Sequence, residues 1–543
     1  MKISFYGAAE MVTGSCFLLE TNANKILIDC GMFQGDSNSD SLNRAAFDFN
    51  PSEIDYLLLT HAHIDHSGRI PLLIKRGFKG EILSTKATKE LCSIMLIDSG
   101  YIQEMEVEWL NRKNLRANKP LVDPLYTIED AEKSLEYFES IPYNEIINLS
   151  EEIRIRYKNA GHILGAAIIE LWVKENNEEV KIVFSGDLGN KDIPIMKDPA
   201  IIDAADYLIV ESTYGNKIHK EIQTTNLFLL DIITDTIERG GNIVIPSFAV
   251  GKTQELLYML NALKESKFSK IKSIPVFLDS PLAINATKVF EANTKDVDSD
   301  TKELIREGNN PFDFPNLIFT QTAEESKEIN FHEGSSIIVS ASGMCEAGRI
   351  KHHLKHNLWR ANSSIVFVGY QAIGTLGRRI LEGEKKVKIF GEEIYVNCKI
   401  YNLDGLSGHA DQKDIVEWIS NFNEKPKKVF LVHGEKNSLN VLSHSIEKEL
   451  NIHTQIVKLR ETVQISPYTK KIIPLDHLLI DEQKYDITQF GNALESIKTD
   501  IDYIISQLRN KQVSTNQSTV NNIDLNIKNL NSEMEKLKKA ILK

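Results

Sequence analysis

Thr60–Gly68, THAHIDHSG, directly follows the apolar run Ile54–Leu59 and places His61, His63, Asp65 and His66 within six residues. Three of the chain's 14 histidines therefore stand beside a carboxylate in one short segment. Zinc accepts imidazole nitrogen and carboxylate oxygen, and a turn at a strand end can aim such groups at one point. Four side chains from one loop cannot surround two ions, so distant donors are required. His162 in NAGHILGAA, Asp187 in FSGDLGN and His433 in FLVHGE each occupy a turn-rich setting after or between strand-like runs. Singly, each reads as a loop residue with a structural hydrogen bond. Together they read as ligands converging on the edge of a sheet sandwich.

Around these residues the chain is of α/β character. Lys25–Asp29, Ile54–Leu59, Lys181–Phe184 and Tyr207–Val210 are short β-rich runs bounded by turn residues, and a polar helical stretch covers about Ala87 to Phe138. From Glu211 to about Val396, the runs Asn242–Pro246, Pro275–Leu278, Ser336–Ser340 and Ser364–Gly369 alternate with helix-like segments. Ile400–Leu403 and Lys428–Val432 return to the pattern of the first region. The end differs. Phe490, Leu494, Ile497, Ile501, Ile504 and Leu508, then Val520, Ile523, Ile527, Leu530, Met534, Leu537 and Ile541, alternate spacings of three and four across the polar joint Asn510–Thr519. That spacing predicts two heptad helices whose apolar stripes need covering, either by folding back on each other as a hairpin or by pairing with a second chain, and a homodimer through this tail is the favoured expectation.

Composition narrows the classes. In 543 residues, 63 Lys and Arg stand against 76 Asp and Glu, a net charge of −13, which excludes a basic nucleic-acid coat but not a local basic groove. The five cysteines (Cys16, Cys30, Cys92, Cys345 and Cys398) include no Cys-x-x-Cys pair, which argues against a disulfide framework and for a reducing compartment. Met1–Met11 lacks a signal-peptide core and no 18 consecutive residues are apolar, so a soluble cytoplasmic protein with no membrane partner is expected. Gly251-Lys252-Thr253 could end a phosphate-binding loop, but the first glycine of that motif would fall where Pro246 stands, and a nucleotide site is rejected.

HAHIDH with His162, Asp187 and a late histidine resembles the metallo-β-lactamase fold. VESTYG, PSFAVGKTQE, SASGMCEAGR, GYQAIGTLGRR, LSGHAD and VHGE resemble its β-CASP branch, above all the RNA-cleaving members such as the endonuclease subunit of the cleavage-and-polyadenylation machinery and its bacterial relatives. The resemblance covers about residues 1–475. It implies an αββα sandwich, residues 1–210 and 396–475, carrying an inserted β-CASP α/β domain, 211–395, with the helical tail 476–543 beyond it.

It also implies two zinc ions per chain, one held by His61, His63 and His162, the other by Asp65, His66 and His433, with Asp187 bridging. Asp29 would orient the ligand loop from behind. His409 in LSGHAD would protonate the leaving ribose oxygen with Glu211 aiming its ring, and Asp65 would serve catalysis as well as binding metal. Read from the residues themselves, Ser247, Lys252, Ser342 and Arg349 line either an RNA-backbone groove or a solvated face, and Lys351–His356 forms a basic helix near phosphates.

The expected activity is hydrolysis of RNA, preferably single-stranded, by a two-metal mechanism, mainly endonucleolytic with 5′-to-3′ exonuclease activity as an addition. The alternatives weighed are a DNA nuclease of the same branch, disfavoured by His433, and a small-molecule hydrolase, disfavoured by the insertion motifs. A metal-free scaffold is disfavoured because every ligand is present.

Overall fold

A computed structural model describes residues 1–466 except 36–37, 176–177, 220–221, 266–268, 373 and 404–406. Two seven-stranded sheets share one apolar core. The first runs in the order Thr462–Gln464, Lys2–Phe5, Phe17–Glu20, Lys25–Ile28, Tyr56–Leu58, Glu81–Ser84, Phe138–Ser140. The second runs His453–Ile456, Lys428–Leu431, Tyr207–Val210, Glu178–Phe184, Ala167–Glu175, Ile153–Asn159, Ile146–Asn148.

Period-two alternation explains why these runs are apolar at nearly every position. Ile26 and Ile28 face the core between the sheets while Leu27 packs outward under helices. Ile182 and Phe184 do the same opposite Val183, and Tyr207 and Ile209 opposite Leu208 and Val210. Both faces are covered at these positions, so apolar residues stand on both sides of the strand.

The insertion is built on a six-stranded sheet in the order Leu317–Phe319, Val276–Leu278, Ile337–Ser340, Ile243–Pro246, Ser364–Phe367, Lys399–Asn402. All five pairings are parallel. Ile243, Ile245 and Val366 line one core and Val244, Ile365 and Phe367 the other. A separate hairpin pairs Lys386–Ile389 with Glu392–Tyr395.

Two expectations need correction. The segment near 400 does not return to the first region, because Lys399–Asn402 adds parallel to Ser364–Phe367 as the edge of the insertion's sheet. The helical stretch after Ala87 is not continuous either. A helix spans Lys86–Arg116, capped by the Thr85 hydroxyl; Pro120 and Pro124 then prevent continuation, and a Thr127–Asp130 capping box starts Ile128–Ser134. The heptad tail, 476–543, lies outside the described residues. Among the described residues no helix is long and apolar enough to cross a membrane.

The strand ends position the site. Lys25–Ile28 and Tyr56–Leu58 run parallel, as do Glu178–Phe184, Tyr207–Val210 and Lys428–Leu431. Asp29, the THAHIDHSG loop, Asp187, Glu211 and His433 all follow the carboxyl ends of these strands, where a parallel sheet presents its loops to ligands.

Candidate metal centre

The loop after Leu58 is held from beneath. Asp29 accepts hydrogen bonds from the Thr60 amide and hydroxyl, both 2.8 Å, and from His66 Nδ1 at 2.7 Å. Gly31 is where the loop crosses closest: a Cβ there would lie 1.6 Å from the Asp65 carbonyl oxygen. Asp29 and His433 both adopt left-handed backbone, φ 59° and 51°, a conformation uncommon for such residues and concentrated at functional sites.

Candidate ligand atoms gather in three groups, each within 4.8 Å: His61, His63, His162 and Asp187; Asp65, His66 and His433; Asp187, Glu211 and His409. In the first, His61 Nε2 and His162 Nε2 each lie 3.1 Å from His63 Nδ1. In the second, His433 Nε2 lies 3.3 Å from both Asp65 Oδ2 and His66 Nε2. Asp187 faces both groups. Its Oδ2 is 3.5 Å from His61 Nε2 and 3.6 Å from His162 Nε2, and its Oδ1 is 3.3 Å from His66 Nε2.

Hydrogen bonds on the far side of four of the five rings set their tautomers, while His63 turns Nδ1 inward and leaves Nε2 buried without a partner. His162 Nδ1 donates to the Gly408 carbonyl at 2.7 Å, and His66 Nδ1 to Asp29. The Thr60 hydroxyl donates to Asp29, so its oxygen is left to accept from His61 Nδ1 at 3.1 Å. Thr213 repeats the arrangement, donating to Glu211 Oε2 at 2.6 Å and accepting from His433 Nδ1 at 3.0 Å. Each of these four rings thus turns Nε2 inward.

Electrostatics agree with a cation site. Burial, helped by neighbouring imidazoles, holds His61 and His162 well below the usual histidine range, and burial takes His63 down to about 4. These rings are neutral and ready to donate lone pairs. Burial works against charge on His66, but Asp187 and Asp29 outweigh it and hold its pKa well above normal. Asp187 Oδ1 is buried without a hydrogen bond. A metal ion would satisfy it and displace the proton from His66. The donor set, all nitrogen and oxygen, fits zinc.

Next to the centre, His409 Nδ1 lies 3.1 Å from both Glu211 oxygens. Glu211 also accepts from the Leu188 amide at 2.7 Å, so the carboxylate is fixed from several sides. Burial opposes protonation of His409, but Glu211 and Asp187 prevail and raise it to about 9.

The expected groove residues are placed differently. Lys252 is buried, pairs with Glu255, and its chain packs beside Gly408 next to the His162 ring. Ser247 is buried and accepts from Thr253 at 3.1 Å; Ser342 donates to the Ala347 carbonyl at 3.2 Å. Arg349 is committed to Asp279 at 2.8 Å and to the Thr320 and Gln321 carbonyls. In the Lys351–His356 segment the buried ring is His353, bonded to Asp279 at 2.6 Å. Sequence reasoning missed Thr60 and Thr213, although each sits within two residues of a named site residue. It also missed the hydrogen bond from Tyr370 to Glu435, which joins the insertion to the loop after His433.

This fold and centre are those of a metallo-hydrolase. Comparison with known families matches residues 10–117 to the metallo-beta-lactamase superfamily, 253–380 to the Beta-Casp domain, and 393–457 to the Zn-dependent metallo-hydrolase RNA specificity domain. The chain is 35% identical over 439 residues to Ribonuclease TTHA0252 of Thermus thermophilus, covering 81% of this chain and 94% of that protein. It is 31% identical to the RNase J-like protein of Methanocaldococcus jannaschii, over 85% of this chain and 99% of that one. With transcription termination factor FttA of Methanosarcina mazei it shares 31% identity, over 86% and 72% of the respective lengths. The chain belongs to the β-CASP family of the metallo-β-lactamase superfamily.

Proposed function

We propose that this protein is a zinc-dependent ribonuclease hydrolysing single-stranded RNA, mainly endonucleolytically, with two zinc ions per chain. The observation that carries the reading is Asp187, whose two oxygens face two separate histidine groups. His61, His63 and His162 would hold one ion, Asp65, His66 and His433 the other. When bound, the ions supply Lewis acidity and lower the pKa of a water, giving a nucleophile at neutral pH.

The chain's own residues do the rest. Glu211 holds His409 by Nδ1 and keeps the ring protonated, so that Nε2 carries a proton for the departing ribose 3′-oxygen. The implied products carry 5′-phosphate and 3′-hydroxyl ends. The RNA specificity match over 393–457, which contains both His409 and His433, and the ribonuclease among the relatives support RNA over DNA. The domain division we favour ends the insertion near 403, because Lys399–Asn402 belongs to its sheet. A cytoplasmic location agrees with five buried free thiols, and dimerisation through the tail rests on its heptad spacing.

The test is end-labelled single-stranded RNA and matched DNA, incubated with pure protein with and without chelator. Chelator-sensitive RNA cleavage leaving 5′-phosphates is expected. Equal turnover of DNA, or 2′,3′-cyclic phosphate ends, would reject the reading.

A further inference from the structure

The insertion carries an exposed surface that the metal centre does not use. Three large aromatic side chains stand out from it: Trp359, Phe390 and Tyr395, 54%, 51% and 55% exposed. Each has a cation over its ring. Arg360 lies 5.4 Å from the Trp359 centroid, Lys351 5.4 Å from Phe390, and Lys386 4.7 Å from Tyr395. His352 packs against Phe390 with ring centroids 4.5 Å apart and planes tilted by 32°.

These residues belong to one structural unit. Lys355 of the helix Ile350–Asn357 pairs with Glu392 of the hairpin at 2.7 Å, and Asn397 donates to the Trp359 carbonyl at 3.3 Å. In the hairpin, Val387 and Ile389 are buried, so strand alternation turns Lys386 and Lys388 outward, with Tyr395 directly across from Lys386. Phe390 occupies the tip.

Charge decides what such a surface can hold. Lys351, Arg360 and Lys386 stand beside the three rings and Lys388 is exposed on the hairpin, whereas Arg349, Lys355, Arg378, Arg379 and Lys399 are paired with Asp279, Glu392, Glu382, Glu384 and Asp235. Some of these cations have surface partners, as Lys386 does in Glu393 at 3.2 Å. Exposed pairs of that kind contribute little and can be exchanged for phosphates. Two copies of this chain meeting here would bring like charges together. Exposed rings alternating with cations are the arrangement that binds single-stranded nucleic acid, bases stacking while lysines follow the backbone.

We infer that the face formed by Trp359, Phe390, Tyr395 and their cations is a second RNA-binding site, which holds single-stranded RNA extending beyond the metal cleft. The inference rests on the ribonuclease reading above. It makes length, rather than base sequence, the property of the substrate that this face senses.

The experiment measures kcat and KM of the zinc-loaded protein separately on RNAs of about 6 and about 30 nucleotides. Stacking on one ring is worth roughly tenfold in affinity. Phe390→Ala/Tyr395→Ala should therefore raise KM for the long RNA by tenfold or more, leaving its kcat and all constants for the short RNA unchanged. Lys386→Gln/Lys388→Gln should reduce the slope of log KM against log salt for the long RNA by about 0.7 for each phosphate the protein no longer neutralises. Variants that treat the two lengths as the parent does overturn the site. So does a changed subunit number by light scattering with RNA kinetics intact, which would assign the face to protein contacts. If the parent cleaves neither RNA, the ribonuclease reading fails first and the site falls with it.

Discussion

His409 Nδ1 stands 3.1 Å from both carboxylate oxygens of Glu211, although the β-CASP insertion separates the two residues in the chain. The contact joins the point where the insertion leaves the core to a point near its return.

His409→Ala is expected to keep zinc and fold but lose about 10²–10⁴-fold in RNA cleavage, the usual contribution of general acid catalysis. A p-nitrophenyl phosphodiester has a leaving group that needs no proton, so the variant should hydrolyse it nearly as fast as the parent. Equal losses on both substrates would give His409 another role.

Thr213→Val removes the hydroxyl between Glu211 and His433 while preserving shape. Groups that orient a ligand typically contribute about 10–100-fold to metal affinity. Competition against a chromophoric chelator should show one ion per chain weakened and the other unchanged, with Thr213→Ser restoring both. An unaltered titration would show that the hydroxyl does not orient His433.

Gly31→Ala tests how tightly the ligand loop is seated. The new methyl would overlap the Asp65 carbonyl at 1.6 Å and approach the His66 amide at 2.8 Å. We expect zinc retention to fall and stability to drop by about 1–3 kcal/mol, as overpacking commonly costs. Metal content and Tm equal to the parent's would show that the loop can move aside.

The insertion has its own acid-sensitive anchor. Burial would raise the pKa of Asp279, but hydrogen bonds from His353, Ser326 and Thr320 outweigh it and hold it at about 2. An unfolded aspartate titrates near about 3.9, so the folded pKa is the lower of the two. The stabilisation is therefore complete above about pH 4 and is lost as pH falls towards 2. Urea midpoints of the parent and Asp279→Asn should converge over that window. A constant difference between them would remove Asp279 from this role.

Much of the centre was legible because its donors follow strand ends in recognisable apolar settings: Leu58 before the histidine loop, Phe184 before Asp187, Leu431 before His433. Pairing between strands far apart in sequence was not legible. Lys399–Asn402 looks like any short β-rich run, and only its register with Ser364–Phe367 assigns it to the insertion. Arg349 looked like a phosphate contact because its partner Asp279, shared with the buried His353, lies 70 residues away. Thr60 and Thr213 carry no signal beyond a hydroxyl near a site residue; their roles appear only when Asp29 and Glu211 come within reach.

In the proposed reading, seven side chains would form a two-ion centre with Asp187 common to both halves. Elemental analysis of protein purified without chelator tests it most directly, comparing the parent with Asp187→Asn and His433→Ala. We expect close to two zinc ions per chain in the parent, a deficit at both positions in Asp187→Asn, and close to one ion in His433→Ala. A parent stoichiometry near one that added zinc does not raise, or full occupancy in Asp187→Asn, would contradict it.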